Sequence, residues 1–300
     1  MKIAVTGAFS YSGKYITSRL LARGEEVITL TNHPNRPDPF EGKVKAFPLN
    51  FNNEEELVKN LSGIDVLVNT YWIRFDKGHN TQPRAVENTK ILVRTAAKAG
   101  VKRIVHISIT NPSADSHLPY FWGKAANEKA VIDSGMSYAI LRPTVLFGKE
   151  DILINNIAWL LRRLPLFGLP GDGSYKLSPV YVDDLAKLAV EAVYSKENYI
   201  WDAVGPDEFT FKEMVEVIGK NTNSQKPLIS FPPRLALFAA QFMSLFVNDV
   251  MLTPEEVDGL MANLLVSKEA PRCKTSLKDW LRENKSTVGK TYASELARHF

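Results

Sequence analysis

Tyr120 and Lys124 are the pair of residues best placed to do chemistry in this chain. They stand four apart in Pro119-Tyr120-Phe121-Trp122-Gly123-Lys124-Ala125-Ala126-Asn127-Glu128. Four residues is about one helical turn, so on a helix both lie on one face. A lysine ammonium beside a phenol favours the phenolate and lowers its pKa. The tyrosine then serves as an acid and base for a carbonyl or an alcohol. The same spacing occurs on ordinary exposed helices, so its meaning depends on the elements around it.

A second stretch, at the start of the chain, suits a phosphate. Lys2–Val5 is a short apolar run fit for a buried strand, and from Lys14 the apolar residues Tyr15, Ile16, Leu20 and Leu21 recur at helical spacing. Between them lies Gly7-Ala8-Phe9-Ser10-Tyr11-Ser12-Gly13. A strand, a glycine-bearing turn and a helix in that order bring backbone N–H groups and the positive end of a helix dipole to one point. Gly7 permits a backbone angle or close approach that a Cβ forbids, and Gly13 permits tight packing of helix on strand. A strand–turn–helix with incidental glycines is the plain alternative.

The elements that must position these residues alternate. Glu26–Thr31, Val44–Leu49, Asp65–Asn69, Arg103–Ser108 and Tyr138–Pro143 read as further strands. Asn53–Leu61 and Gln82–Ala99 read as helices between them. This predicts βαβ units and an α/β fold, a Rossmann-type doubly wound parallel sheet with helices on both faces. Asn69-Thr70-Tyr71 then stands at the carboxyl end of a parallel strand, where ligands bind in such sheets. The expected division is 1–198 for the main domain, with 149–178 on its substrate side. A smaller, mostly helical region follows over 199–300.

The turn, the Tyr/Lys pair, Arg142-Pro143-Thr144-Val145-Leu146-Phe147-Gly148 and Pro179-Val180-Tyr181-Val182-Asp183-Asp184-Leu185-Ala186 together resemble the extended and atypical short-chain dehydrogenase/reductases. The nearest likeness is to the NmrA-like group, which includes the nucleotide-binding accessory subunit of mitochondrial complex I. The resemblance covers about Met1–Thr210. It implies a nicotinamide dinucleotide over Gly7, Phe9, Ser10, Tyr11, Ser12 and Gly13, with Ser10 where the family has its middle glycine. It implies Asn50 and Phe51 against the adenine, Asn69, Thr70, Tyr71 and Pro143 along the cofactor, and Lys124 on the nicotinamide ribose. It makes Tyr120 the catalytic acid and base. The family's serine falls on Ile109 by ungapped reading, so Ser108 or Thr110 would polarise the substrate oxygen. The implied activity is oxidoreductase or epimerase chemistry on a small carbonyl or alcohol. The alternative is a non-catalytic NADP(H)-binding sensor, assembly factor or subunit of a larger complex.

No carboxylate ends the second strand to hold a ribose hydroxyl. Asn32, His33 and Arg36 follow instead, and arginine suits a 2′-phosphate, so NADP(H) is favoured over NAD(H). Asp183 and Asp184 read as a capping pair at a helix start.

Composition bounds the rest. Of 300 residues, 45% are apolar and 23% charged, and the net charge of +4 is too small to argue for nucleic acid. One cysteine, Cys273, excludes a disulfide framework and a cysteine-based zinc site, which suits the cytoplasm or another reducing compartment. No metal site, signal peptide or membrane-spanning helix is expected. Thr210 with Glu213 has capping-box spacing, and Trp280 and Leu281 read as packing anchors among polar helices. After Pro233 the stretch Arg234–Val247 is almost wholly apolar. It reads as a buried core helix or a lid, or as a helix lying on a membrane or a protein partner.

Overall fold

The computed structural model describes residues 1–33 and 36–299, with the side chains of 245, 298 and 299 left aside. It divides into two compact units, Met1–Pro143 with Val182–Ala203, and Thr144–Tyr181 with Val204–Phe300.

The first unit is built on one seven-stranded sheet. β1 (Lys2–Thr6), β2 (Glu26–Thr31), β3 (Lys45–Pro48), β4 (Val66–Asn69), β5 (Arg103–Ile107) and β6 (Ser137–Pro143) are joined by the strand Tyr199–Ala203. The order is Tyr199–Ala203, β6, β5, β4, β1, β2, β3, and every pairing is parallel. Parallel strands covered on both faces read as continuous apolar runs rather than alternating ones. That is why Ile3, Ala4 and Val5, and Leu67 and Val68, are all buried together. Strand order reverses between β1 and β4, the place where such sheets open a crevice at their carboxyl ends.

Four helices cover the strands early in the chain: α1 (Tyr11–Ala22), α2 (Glu54–Leu61), α3 (Gln82–Lys98) and α4 (Pro119–Asp133). The Asn53 side chain accepts from Glu56 N–H to start α2, and Thr81 accepts from Arg84 N–H to start α3. α1 begins differently. Ser10 is its N-cap residue, yet makes no side-chain cap, and no acid lies in the first turn. One core cluster runs through Ala4, Leu30, Leu67, Ile104 and Ile140 to Leu57, Leu61 and Leu92 on the helices.

The observed division differs from the expected 1–198 and 199–300. Tyr199–Ala203 pairs with β6 and completes the sheet. Thr144–Tyr181 leaves the first unit altogether and builds the second. The second unit has its own core, in which Phe147, Ile154, Phe167, Met214, Trp280 and Leu281 are buried. Thr210 and Glu213 form a complete capping box at the start of Phe211–Asn221, as their spacing predicts.

Asp183 is not a simple cap. Its carboxylate takes both Nε and a terminal nitrogen of Arg19, each at 2.6 Å, and so ties Val182–Tyr194 to α1 within the first unit. The helix Pro233–Val247 is not a buried core helix: none of its described side chains is buried. Among the described residues no helix is long and apolar enough to cross a membrane.

Candidate active site

The glycine turn fits a phosphate on the evidence of its own backbone. Gly7 has φ +65°, in the left-handed region that favours glycine. Gly7 N–H donates to Leu30 O, which ties the turn to the neighbouring strand. A Cβ on Gly13 would lie 2.1 Å from the Gly7 carbonyl oxygen, so helix and turn approach as closely as two backbones can. The N–H groups of the first turn of α1 receive no side-chain acceptor from Ser10. A helix start left without a side-chain cap is the arrangement a pyrophosphate requires. Ser10 replaces the family's glycine without a clash. Its hydroxyl, however, donates to Gly7 O at 2.5 Å. Its proton is therefore spent on shaping the turn rather than held for a phosphate. Phe9 is half-buried beside Phe40, with ring centroids 6.2 Å apart, and Tyr11 and Ser12 open the helix.

Past β2, Asn32 and His33 are exposed. His33 N–H donates to Thr31 Oγ1, and Arg36 N–H donates to His33 O, which brings Arg36 back to His33. Burial and then the Arg36 charge hold the His33 pKa below its ordinary value. Asn50 is engaged elsewhere: its amide donates to Glu56 and its oxygen accepts from Asn52 N–H. Phe51 meets Tyr71 at 5.0 Å between ring centroids. The Tyr71 hydroxyl accepts from Asn88, and burial raises its pKa.

Asn69 does not reach toward a ligand. It is fully buried and joins β1, β4 and β5 in one network. Its oxygen accepts from Thr6 Oγ1 and Tyr71 N–H, and its amide nitrogen meets His106 Nδ1 at 3.1 Å. Two donors on the Asn69 oxygen fix which end of the amide faces the ring. His106 Nδ1 is therefore an acceptor, and the ring is neutral with its proton on Nε2. Thr70 closes the network on β1, with N–H on Thr6 Oγ1 and its hydroxyl on Thr6 O.

Burial, reinforced by the Lys124 charge, drives the His106 pKa from 6.5 to about 3. The unfolded chain thus binds a proton that the native ring refuses. Stability from this group is whole above about pH 6.5 and declines as the pH falls toward 3. We expect His106→Gln, which keeps an acceptor for Asn69, to flatten the loss of melting temperature on acidification across that window. An unchanged slope would remove His106 from the account.

Tyr120 stands in the first turn of α4, half-buried, and Lys124 is 3% exposed one turn later. The ammonium donates to Ile107 O at the end of β5 at 3.0 Å. It also lies 5.1 Å from the centre of the Trp72 ring. Tyr120 meets the same indole edge-on at 5.8 Å. Trp72 is packed so closely that a Cβ on Gly123 would come within 2.5 Å of it. The indole is therefore a wall that fixes both candidate groups, and the motif reading had missed it. Its sequence signal was modest: an aromatic directly after Asn69-Thr70-Tyr71, at a carboxyl strand end. Burial lowers the Lys124 pKa to about 7, against the opposing pull of Glu128. Glu128 is itself held by Arg142 through two bonds of 2.8 and 2.5 Å. Arg142 thus positions the back of α4.

The third catalytic position resolves unevenly. Thr110 is fully buried, its hydroxyl donates to Asp202 at 2.9 Å, and its N–H donates to Pro143 O. Its proton is committed, which removes it as the group that polarises a substrate oxygen. Ser108 is 3% exposed, and its hydroxyl has no partner among the described residues. Ile109, at the family's serine position, is buried apolar surface.

Comparison with known proteins agrees with this fold. The NAD(P)H-binding family model matches residues 7–158, half of the chain. The chain is 23% identical over 285 residues to the Arabidopsis thaliana mitochondrial NADH dehydrogenase [ubiquinone] 1 alpha subcomplex subunit 9, covering 89% of this chain and 71% of that one. It is 26% identical over 223 residues to a Mycobacterium tuberculosis protein, covering 73% of this chain but only 23% of that relative's length. Among solved structures, the Escherichia coli NADPH-dependent quinone oxidoreductase QOR2 with NADPH aligns at TM-score 0.73 and 18% identity, over 97% of both chains. A Staphylococcus aureus nucleoside-diphosphate-sugar epimerase aligns at TM-score 0.71 and 18% identity, over 94% of this chain and 100% of that one. At such identities the structures speak for the fold alone. With the Rossmann-type sheet, the glycine turn and the matched model in place, the chain belongs to the NAD(P)H-binding family.

Proposed function

We propose that this protein is an NAD(P)-dependent oxidoreductase or epimerase acting on a small carbonyl or alcohol. The observation that carries the reading is Tyr120 and Lys124 set against one indole at the carboxyl ends of β4 and β5. The dinucleotide, when bound, gives or takes the hydride. Gly7 and Gly13 make room for its pyrophosphate at the start of α1. Lys124 would hold its ribose and, when protonated, favour the phenolate of Tyr120, whose phenol would give or take the substrate proton. Ser108 supplies the remaining hydroxyl. Quinones and nucleotide sugars are the substrates named for the aligned reductase and epimerase. A screen of both classes and of simple carbonyl compounds, read by the absorbance of reduced nicotinamide, tests the proposal. Turnover of none of them by a chain that binds the dinucleotide would overturn it.

The preferred cofactor is NADP(H). Arg36 with His33 and Asn32 stands after β2 in place of a carboxylate. A charge-assisted pair with a 2′-phosphate contributes roughly 1.5–3 kcal/mol net, or about a tenfold to hundredfold preference. Calorimetric titration should show NADPH binding more tightly than NADH by that margin, with Arg36→Ala narrowing it. Equal or stronger NADH binding by the unmodified chain would leave Arg36 no part in selection.

A second reading keeps the dinucleotide and drops turnover. Ile109 in the serine position supports a sensor, assembly factor or subunit, and so does the likeness to a complex I subunit. Attachment to a larger assembly or a membrane would run through Arg234–Val247. Cys273, the one cysteine of the chain, is buried, which suits the cytoplasm or another reducing compartment.

A further inference from the structure

The helix Pro233–Val247 carries Leu235, Phe238, Phe242 and Phe246 at steps of three, four and four residues. At about 100° per residue these four fall in one narrow stripe along the helix. They are 49%, 67%, 54% and 71% exposed. Single exposed apolar residues are ordinary on a protein surface, but a contiguous row of large ones marks an interaction site. The rings of Phe242 and Phe246 meet edge-on at 5.1 Å, so the stripe is a joined ridge.

Along the chain, the charge flanking this ridge has one sign. Between Glu216 and Asp249 the sequence holds no carboxylate, while Lys220, Lys226 and Arg234 are all present. Lys220 and Arg234 are exposed and Lys226 half-exposed. Asp249, where the helix ends, is 5% exposed. Its carboxylate accepts from the Tyr292 hydroxyl and from the N–H groups of Glu295 and Leu296, so it is turned inward.

From these observations the geometry points to an anionic lipid surface as the occupant of the ridge. A helix with aromatic and leucine residues along one side and cations beside it lies in the headgroup plane, its apolar side in the acyl boundary. Its 15 residues span about 22 Å, too short to cross a bilayer but ample to lie on one. Its three phenylalanine rings are more exposed than buried, which suits a deformable plane better than a rigid partner that must supply a groove. A second copy of the chain would bring the same cations to face one another. A stable dimer also draws on roughly 20–30 residues a side, far more than one four-residue stripe. The inference rests on the attachment reading above and is independent of whether the site turns over.

The test is co-flotation of the full chain with phosphatidylcholine vesicles, with and without phosphatidylglycerol. The unmodified chain should float with the anionic vesicles and weaken as salt rises. Phe238→Glu with Phe242→Glu should cut the bound fraction at least about tenfold, and Phe238→Leu with Phe242→Leu should largely keep it. Arg234→Glu with Lys226→Glu should weaken binding to the anionic vesicles alone. NADPH affinity, titrated on every variant, should stay unchanged, which shows that the fold survives and separates this result from the cofactor reading. Absence of flotation by the unmodified chain, equal flotation with neutral vesicles, or a glutamate variant that binds as before would each overturn the lipid assignment. A concentration-dependent dimer that the glutamate pair abolishes, with no vesicle binding, would assign the ridge to a second copy instead.

Discussion

Tyr120→Phe is expected to lower turnover at least about a hundredfold on any substrate the screen yields, the usual worth of one positioned acid or base. Affinity for NADPH should not move. The substitution removes one oxygen and leaves the ring, which meets Trp72 edge-on and Phe121 at 5.9 Å. Packing is therefore kept, and a loss in rate reports chemistry. The loss should fall on kcat, because the proton moves only in the transition state. Lys124→Met should behave differently. In the proposed role Lys124 holds the cofactor ribose as well as tuning the phenol, so both rate and NADPH affinity should fall. Turnover unchanged in Tyr120→Phe would end the assignment and favour the binding-subunit reading.

How far these roles could be read in advance depended on sequence separation. The parallel sheet was legible because strands buried on both faces leave continuous apolar runs, such as Ile3–Val5 and Leu67–Val68, separated by helical spacing. The Gly7–Gly13 turn and the Tyr120/Lys124 pair were legible because each lies within one local element. The start of α1 was missed by three residues, at Tyr11 rather than Lys14, because no capping side chain announces it. What depends on distant partners was not legible. Thr110 is spent on Asp202, 92 residues away, and nothing near Thr110 signals it. The departure of Thr144–Tyr181 to the second unit was equally hidden, since a chain that leaves a sheet and returns carries no composition change at the crossing. Trp72 belongs to no motif, and only the fold sets it against Gly123 and Lys124. The stretch after Pro233 shows the limit of hydropathy by itself. An apolar helix can be a core or a docking ridge, and only its neighbours decide which.

The largest structural effect is expected from the smallest change, Gly13→Ala. Gly13 sits inside α1, where alanine is ordinarily the better helix former by about 1 kcal/mol. On propensity alone the substitution should stabilise. Packing decides otherwise. The added Cβ would lie 2.1 Å from Gly7 O and 2.9 Å from Gly7 C, with Ala8 Cα at 3.3 Å. These are backbone atoms, so no side chain can swing away. Either α1 moves off β1 or the Gly7 turn opens. Gly7 N–H is fixed to Leu30 O and its carbonyl to Ser10, so opening the turn breaks those bonds as well. Overpacking costs typically 1–3 kcal/mol, occasionally more, and here it falls on the phosphate cradle itself. The expected result is a lowered melting temperature together with at least about a tenfold loss of NADPH affinity, since the pyrophosphate needs that turn intact. Gly24→Ala is the matched control. Gly24 has φ +80° with nothing within 4 Å of an added Cβ. It should therefore cost about 1–2 kcal/mol of backbone strain and leave affinity untouched. Gly13→Ala with native affinity for NADPH would show that the dinucleotide does not lie over this turn, and would take the proposed site with it.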